Sequence, residues 1–499
     1  MLIWFVVIYL FASIAVGLFV ATRVHNSKDF AVAGRSLPLP VVAATVFATW
    51  FGAEAVFGVS ATFVKEGLRG VVADPFGASL CLVIAGLFYG GMLYKLNILT
   101  LGDYFRLRFN RTVEVLTTLC IVTSYLGWVS AQIKALGLVF NVVTQGNVSP
   151  HIGMVVGALI VLTYTTFGGM LSVAILDFVQ LGVIMGGMLY IGHVVAGLTG
   201  GVDTVVNQAA AAGKLDFFPQ GGVSEWLPFV AAWLTMMLGS VPQQDVFQRV
   251  TSAKSARTAI YASLIGAGLY FCFTFIPMFI AYAATLIDPP RFNALIASDS
   301  QRVLPMLVLE HTPVPAQAIF FGAVLSAIMS CSSATLLAPS VAFSENIVRN
   351  LLPQIGDHAF LRVMRLTLIG FTLVVLLFAL NSDASIFKMV ENSYKITLAG
   401  AFIPLFFGAF WKRATTQGAL AAILGGVGSW LLIEGLVAEP LIPPQLIGLG
   451  ISLGAMIIGS LLPQRIGLTA PTTDPHARIH HHAAAQTHHA EPLHRHPPR

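Results

Sequence analysis

The sequence predicts an all-α polytopic membrane protein with 13 transmembrane helices. Three observations lead there. Its 499 residues are 56% hydrophobic and only 10% charged, with a mean hydropathy of +0.82. Soluble chains carry about 25% charged residues, so this much apolar surface has no place in water. The apolar residues gather in stretches of the roughly 20 residues that a bilayer-spanning helix needs. Lysine and arginine, finally, segregate by side. With the N-terminus outside, alternation through 13 spans puts 19 of the 27 on the inside, five outside and three within spans. The net charge of +5 follows from that topology and gives no reason to expect nucleic acid as a partner.

The spans are expected in order. The first, 2–22, begins at the initial methionine with no basic region before it and no small-residue cleavage site after it, and reads as a retained helix. The second, 38–63, contains "ATWFGAEAVFG", which sets Gly52, Glu54 and Gly58 at mid-membrane depth. Spans 71–94, 114–143, 151–167 and 171–198 complete a block of five. The polar stretch 199–224 follows outside. A second block holds 225–246, 256–286, 314–346, 361–380 and 385–411. Its first helix ends in "LGSVPQQDVFQR", interrupted by Gly239 and Pro242. Spans 416–436 and 443–463 follow. The segments expected are thus 1–37, 38–198, 199–224, 225–411, 412–465 and 466–499. The last, with eight of the 13 histidines, reads as a disordered cytoplasmic tail or a loose transition-metal binder.

Interrupted helices opening two blocks of five suggest inverted repeats around a midplane site. An unwound helix frees carbonyls and amides, tolerable in lipid only around a cavity or ligand. The ionisable residues at membrane depth are Glu54, Asp74, Lys134, Asp177, Lys388, Glu391 and Lys395. Asp74 and Lys388 lie near span ends and are expected to snorkel. Glu391 and Lys395 are spaced to pair as i and i+4. Span 314–346 buries "SAIMSCSSAT", five hydroxyls and a thiol. Such hydroxyls ordinarily bond the preceding helical turn; alternatively they line an ion site. The four cysteines all fall within spans, with no metal-ligand spacing.

Four motifs in order resemble those of the sodium/solute symporters: "DFAVAGRSLP" (29–38), "TFGGMLSVAILDFVQ" (166–180), "MSCSSATLLAPSVAFSENIV" (329–348) and "FGAFWKR" (407–413). Within that family, "ATWFG" and "MLGSVPQQDVFQRVTSAKSA" (237–256) are most similar to the high-affinity choline transporters. The resemblance implies a five-plus-five inverted-repeat (LeuT-like) core with one extra helix before it and two after. It implies sodium as coupling ion, with ligands from the carbonyls of Ala48, Phe51 and Ala327, the Ser330 side chain and position 331, and with Asp177 nearby offsetting the charge. Position 331 is Cys where the family has Ser or Thr, and a thiol is a soft, weak ligand for a hard ion. A weaker site, a substitute hydroxyl (Ser332, Ser333 or Thr335) or proton coupling would each follow. Trp50 and Trp128 match tryptophans of the choline pocket, where each aromatic face contributes about 2 kcal/mol or more to binding a desolvated cation. Gln243 and Ala78 stand where that group has further aromatics, which suits a more polar solute; Glu54, Gln243 and Gln244 supply polar contacts.

The function expected is sodium-coupled uptake of a small polar or cationic solute across the plasma (inner) membrane, the C-terminus cytoplasmic, with no enzyme activity. Proton-coupled transport and a non-transporting sensor on the same fold are the alternatives.

Overall fold

The computed structural model describes residues 2–438 and 440–466. The readings made of the histidine-rich tail lie outside the described residues from 467 onward. The described chain is nearly all helix, with an isolated bridge between Leu37 and Ala253 and no ladder.

Among the described residues, ten helices are long and apolar enough to cross a membrane, and a bent pair adds an eleventh candidate. In chain order, α1 is Leu2–Ala21, the bent pair is α2 (Leu39–Trp50) with α3 (Glu54–Glu66), α4 is Leu68–Lys95, α5 is Arg111–Val143 and α6 is Pro150–Leu198. The short α7 (Val223–Gly239) precedes α8 (Gln244–Ser252). The rest are α9 (Ala256–Ile287), α10 (Val314–Leu351), α11 (Asp357–Leu380), α12 (Ile386–Phe410), α13 (Thr416–Leu436) and α14 (Pro444–Leu461).

The 49 residues of α6 would run to about 74 Å as one rod, more than twice the hydrocarbon thickness. Gly169 breaks it instead, at φ 51° and ψ −149°. A Cβ there would stand 2.6 Å from the carbonyl oxygen of Phe30, so both conformation and space require glycine. Two shorter segments result, with the "FGG" of the sequence at the turn between them.

Burial sorts the helices into layers. In α10, 94% of the most apolar window is buried, against 22–28% for α1, α11, α13 and α14, whose apolar faces are left for lipid. α10 packs on α6, α5 and α2. The two ends of the bundle are tied separately. At one end Ser27 donates to Asp357, the Leu101 amide to Gln244 (2.9 Å), and Arg108 to the carbonyl oxygens of Gly408 and Trp411 (2.8 and 3.2 Å). At the other, Lys214 donates to the Lys65 carbonyl (2.8 Å) and Arg302 to Asn141 (2.8 Å), beside the short helices Pro289–Asp299 and Val303–His311.

Three expectations about charge are corrected. Asp74 does not snorkel: it is 1% exposed and accepts from Tyr270, because α4 begins before it and carries it inward. Glu391 and Lys395 do not pair. Lys388 reaches Glu391 at 2.6 Å, and Lys395 reaches Glu434 of α13 at 3.0 Å, so packing against a neighbouring helix overrides the i, i+4 spacing. Arg249, one of the 19 lysines and arginines counted on the inside and so expected in a loop between spans, is 1% exposed on α8.

Candidate functional site

Helix α2 ends at Trp50 and α3 starts at Glu54, bent by 51° to it. Phe51, at φ −85° and ψ 73°, leaves the helix there while its amide still reaches Phe47 O at 2.8 Å. The break lets α2 approach α10 closely. A Cβ on Gly52 would lie 2.7 Å from both Cys331 Sγ and Gln132 Oε1. The Ala53 amide freed by the break is taken by Gln132 Oε1 at 2.8 Å.

Two clusters meet at this break. The first joins α2, α6 and α10. Asp177 is fully buried and accepts from two hydroxyls, Ser330 of α10 and Thr45 of α2, one at each carboxylate oxygen. Ser330 Oγ also lies 3.1 Å from Ala48 O. Oxygens from three helices therefore converge on one dry point beside a carboxylate, the donor chemistry that a hard monovalent cation takes. Ala48, Asp177 and Ser330 are thus together. Phe51 is at the break one turn on, and Ala327, one turn before Ser330, belongs to an unbroken stretch of helix.

Of the five hydroxyls in "SAIMSCSSAT", only Ser330 points outward to other helices without also bonding its own. Ser326, Ser332, Ser333 and Thr335 each donate to a carbonyl three or four residues back, at 2.6–2.9 Å. Ser332, Ser333 and Thr335 thus spend their hydrogens on their own helix. The Cys331 thiol faces the other cluster, 3.9 Å from Glu54 Oε1 and against Gly52.

The second cluster is aromatic and acidic. Glu54, 3% exposed, accepts from Trp128 Nε1 at 3.0 Å and from the Gln132 amide. Trp50 donates to Asp245 Oδ2 at 3.2 Å, and Tyr125 donates to Asp245 Oδ1. The Trp50 and Trp128 rings meet edge-on at 5.5 Å; Tyr125 and Tyr394 pack on Trp128 at 5.8 and 5.7 Å, and Tyr270 on Trp50 at 6.4 Å. Gln243 lies at the edge, donating to Ser124 at 2.9 Å and Thr397 at 3.4 Å. Gln244 is not brought in: its side chain accepts from the Leu101 amide and donates to Leu99 O. Arg249 stands between the clusters, Nε on Thr49 Oγ1 at 3.0 Å, its charge acting on both Asp177 and Asp245.

Sequence reasoning missed Thr45, Asp74, Tyr125, Gln132, Tyr270, Tyr394 and Arg249 as site residues. Some were findable. Thr45 is three before Ala48, and Tyr125 and Gln132 flank Trp128 by three and four, all helical same-face spacings. Outside the spans, Asp103 caps Leu101–Arg108 with Thr100 and accepts from Asn346 at 3.1 Å. Burial raises its carboxyl above the usual aspartate value against the opposing Thr100 contacts.

A family model described as the sodium:solute symporter family matches residues 30–426. The chain is 28% identical over 467 residues to the high affinity choline transporter 1 of Homo sapiens, covering 88% of this chain and 78% of that protein. It is 24% identical over 460 residues to the sodium/glucose cotransporter of Vibrio parahaemolyticus, covering 86% and 84%. The substrate-bound outward-open state of a Na+-coupled sialic acid symporter has the same fold, at TM-score 0.79 and 19% identity, covering 93% of this chain and 98% of that one.

Proposed function

The chain belongs to the sodium:solute symporter family, and on that premise we propose that it imports a small polar or cationic organic solute together with sodium, by alternating access. A single observation carries this reading: the broken α2–α3 helix delivers Ala48 O to Ser330 Oγ, which donates to the buried Asp177.

Sodium would be held by the carbonyls of Ala48, Phe51 and Ala327 and by Ser330 Oγ, with Asp177 supplying the counter-charge. Cys331 stands beside Glu54 and would contribute little as a ligand. Binding the ion would draw α2 and α10 together at Ser330. That contact would favour the state in which the pocket of Trp50, Glu54, Trp128 and Gln243 is complete. Rocking of the two repeats would then expose both sites to the cytoplasm, where scarce sodium leaves first. The repeats would be 38–198 and 225–411. If α6 spans twice about Gly169 and α7 with α8 crosses once, the spans number 13, with the N-terminus outside and the C-terminus in the cytoplasm of a plasma membrane. No bond is made or broken in this cycle, so no enzyme activity is expected.

Proton coupling through Asp177 or Glu54 is the second reading, and the full burial of the Asp177 carboxyl between the Ser330 and Thr45 hydroxyls favours it. The test is the thermal stability of the purified protein in sodium and in potassium at matched ionic strength. Sodium at ten times its Kd stabilises the folded state by about 1.4 kcal/mol. A sodium-specific rise that Ser330→Ala abolishes is the expected result. Indifference to the cation, with pH-dependent uptake into vesicles, overturns sodium coupling in favour of protons.

A further inference from the structure

Four carboxylates, Glu54, Asp74, Asp177 and Asp245, lie at the two clusters, each no more than 3% exposed. Among the described residues, Arg249 is the one buried cation beside them. Its charge answers Asp177 and Asp245. Glu54 and Asp74 have none, and Asp74 is near enough for its charge to act on Glu54. In a low-dielectric layer an unpaired carboxylate is costly, so a site built this way asks for positive charge.

Hydrogen bonding narrows the choice. Glu54 already accepts from Trp128 and Gln132. Asp74 Oδ1 accepts from Tyr270, whose ring packs edge-on against Trp50 of the aromatic cluster. Asp74 Oδ2 is buried and has no partner at all. Buried polar atoms are almost always bonded, so this oxygen lacks a donor. A quaternary ammonium has a charge and no N–H to give. A neutral polyol has donors and no charge, and an anion would add a further negative charge beside Glu54 and Asp74.

We infer that the solute is a protonated primary or secondary amine, held by its N–H donors between Asp74 and Glu54 against the Trp50 and Trp128 rings. This rests on the transporter reading above and names its substrate class. Each methyl added to the nitrogen removes a donor while enlarging the apolar surface offered to the rings. Affinity along a methylation series therefore separates carboxylate recognition from purely aromatic recognition.

The experiment measures thermal shifts of the full-length protein, in sodium and again in potassium, with ethanolamine, its N-methyl and N,N-dimethyl forms, and choline. Expected is stabilisation by ethanolamine that weakens along the series, choline binding at least about tenfold more weakly. Asp74→Asn and, separately, Glu54→Gln should each weaken ethanolamine about tenfold or more while keeping the sodium-specific shift. The wild-type series needs neither variant to fold. Tighter binding of choline than of ethanolamine overturns the inference, as does stabilisation by a polyol or carboxylate when no amine stabilises. Failure of every amine at about 10 mM does the same, as does loss of the sodium shift in Asp74→Asn without amine binding, which would give the pair to an inorganic cation. Absence of any sodium shift in the wild type fails the sodium reading instead, and the potassium arm still judges the amine.

Discussion

At the residue scale the decisive question is which way each buried polar side chain points. Cys331 and Ser330 are adjacent, yet one helical step of about 100° sends the thiol to Glu54 and the hydroxyl to Asp177. Cys331→Ser should therefore change the sodium concentration giving half-maximal stabilisation by less than about threefold, a fraction of a kcal/mol. A tenfold gain in sodium affinity would move position 331 to the ion. Arg249 makes the opposite kind of prediction. Its removal leaves the nearby Asp177 and Asp245 buried without a neighbouring cation and strips the donors from Thr49 Oγ1 and the Asp245 carbonyl oxygen, and an uncompensated buried charge costs about 3–5 kcal/mol. Arg249→Met should lower the thermal midpoint strongly. Expression at wild-type stability would show that the guanidinium is not compensating those carboxylates. Neither orientation was legible beforehand. Counting lysine and arginine by side cannot distinguish a buried guanidinium from a loop charge, and a run of hydroxyls has no period that singles out Ser330.

The elements carry their information in glycine and in the interruptions of apolar pattern. "ATWFGAEAVFG" announced the break of α2–α3, because Gly52 is where α2 must leave room for Cys331 and Gln132. Gly52→Ala forces a Cβ to 2.7 Å from both, and overpacking of this kind costs about 1–3 kcal/mol. Removing the sulfur in the double variant Gly52→Ala/Cys331→Ala should return only part of that, because Cys331 Cβ would still stand 2.8 Å and Gln132 Oε1 2.7 Å from the new methyl. Equal losses in single and double variants would put the strain on Gln132 or on the bend itself. Asp74 shows where element reading fails. The pattern started its span at 71 and so made Asp74 an end residue, whereas α4 starts at Leu68 and delivers it to Tyr270. An error of three residues changed a snorkelling surface charge into a buried acceptor. Lys395 fails for a different reason: its partner Glu434 is 39 positions away, on a helix whose placement no local spacing encodes.

At the scale of the whole molecule, the alternating access proposed above requires that one end close while the other opens, and the ties at each end would set that balance. At the end holding Leu101–Arg108, Asn346 of α10 donates to Asp103 at 3.1 Å and to Glu114 at 3.0 Å. Glu114 in turn holds Arg111 at 2.8 Å. One amide thus joins the most buried helix to the mouth of α5. If these two bonds exist only while this end is closed, their loss shifts the closed–open equilibrium by their full worth and leaves the clusters at the break untouched. Hydrogen bonds to charged groups contribute about 1.5–3 kcal/mol, so Asn346→Ala should raise the open population by at least tenfold. Amide hydrogen exchange reads this directly. Leu101–Arg108 should exchange faster in the variant, while the opposite end, 288–313, keeps its wild-type protection. Faster exchange at both ends would mean general destabilisation, and unchanged exchange at Leu101–Arg108 would mean that the tie survives opening and gates nothing.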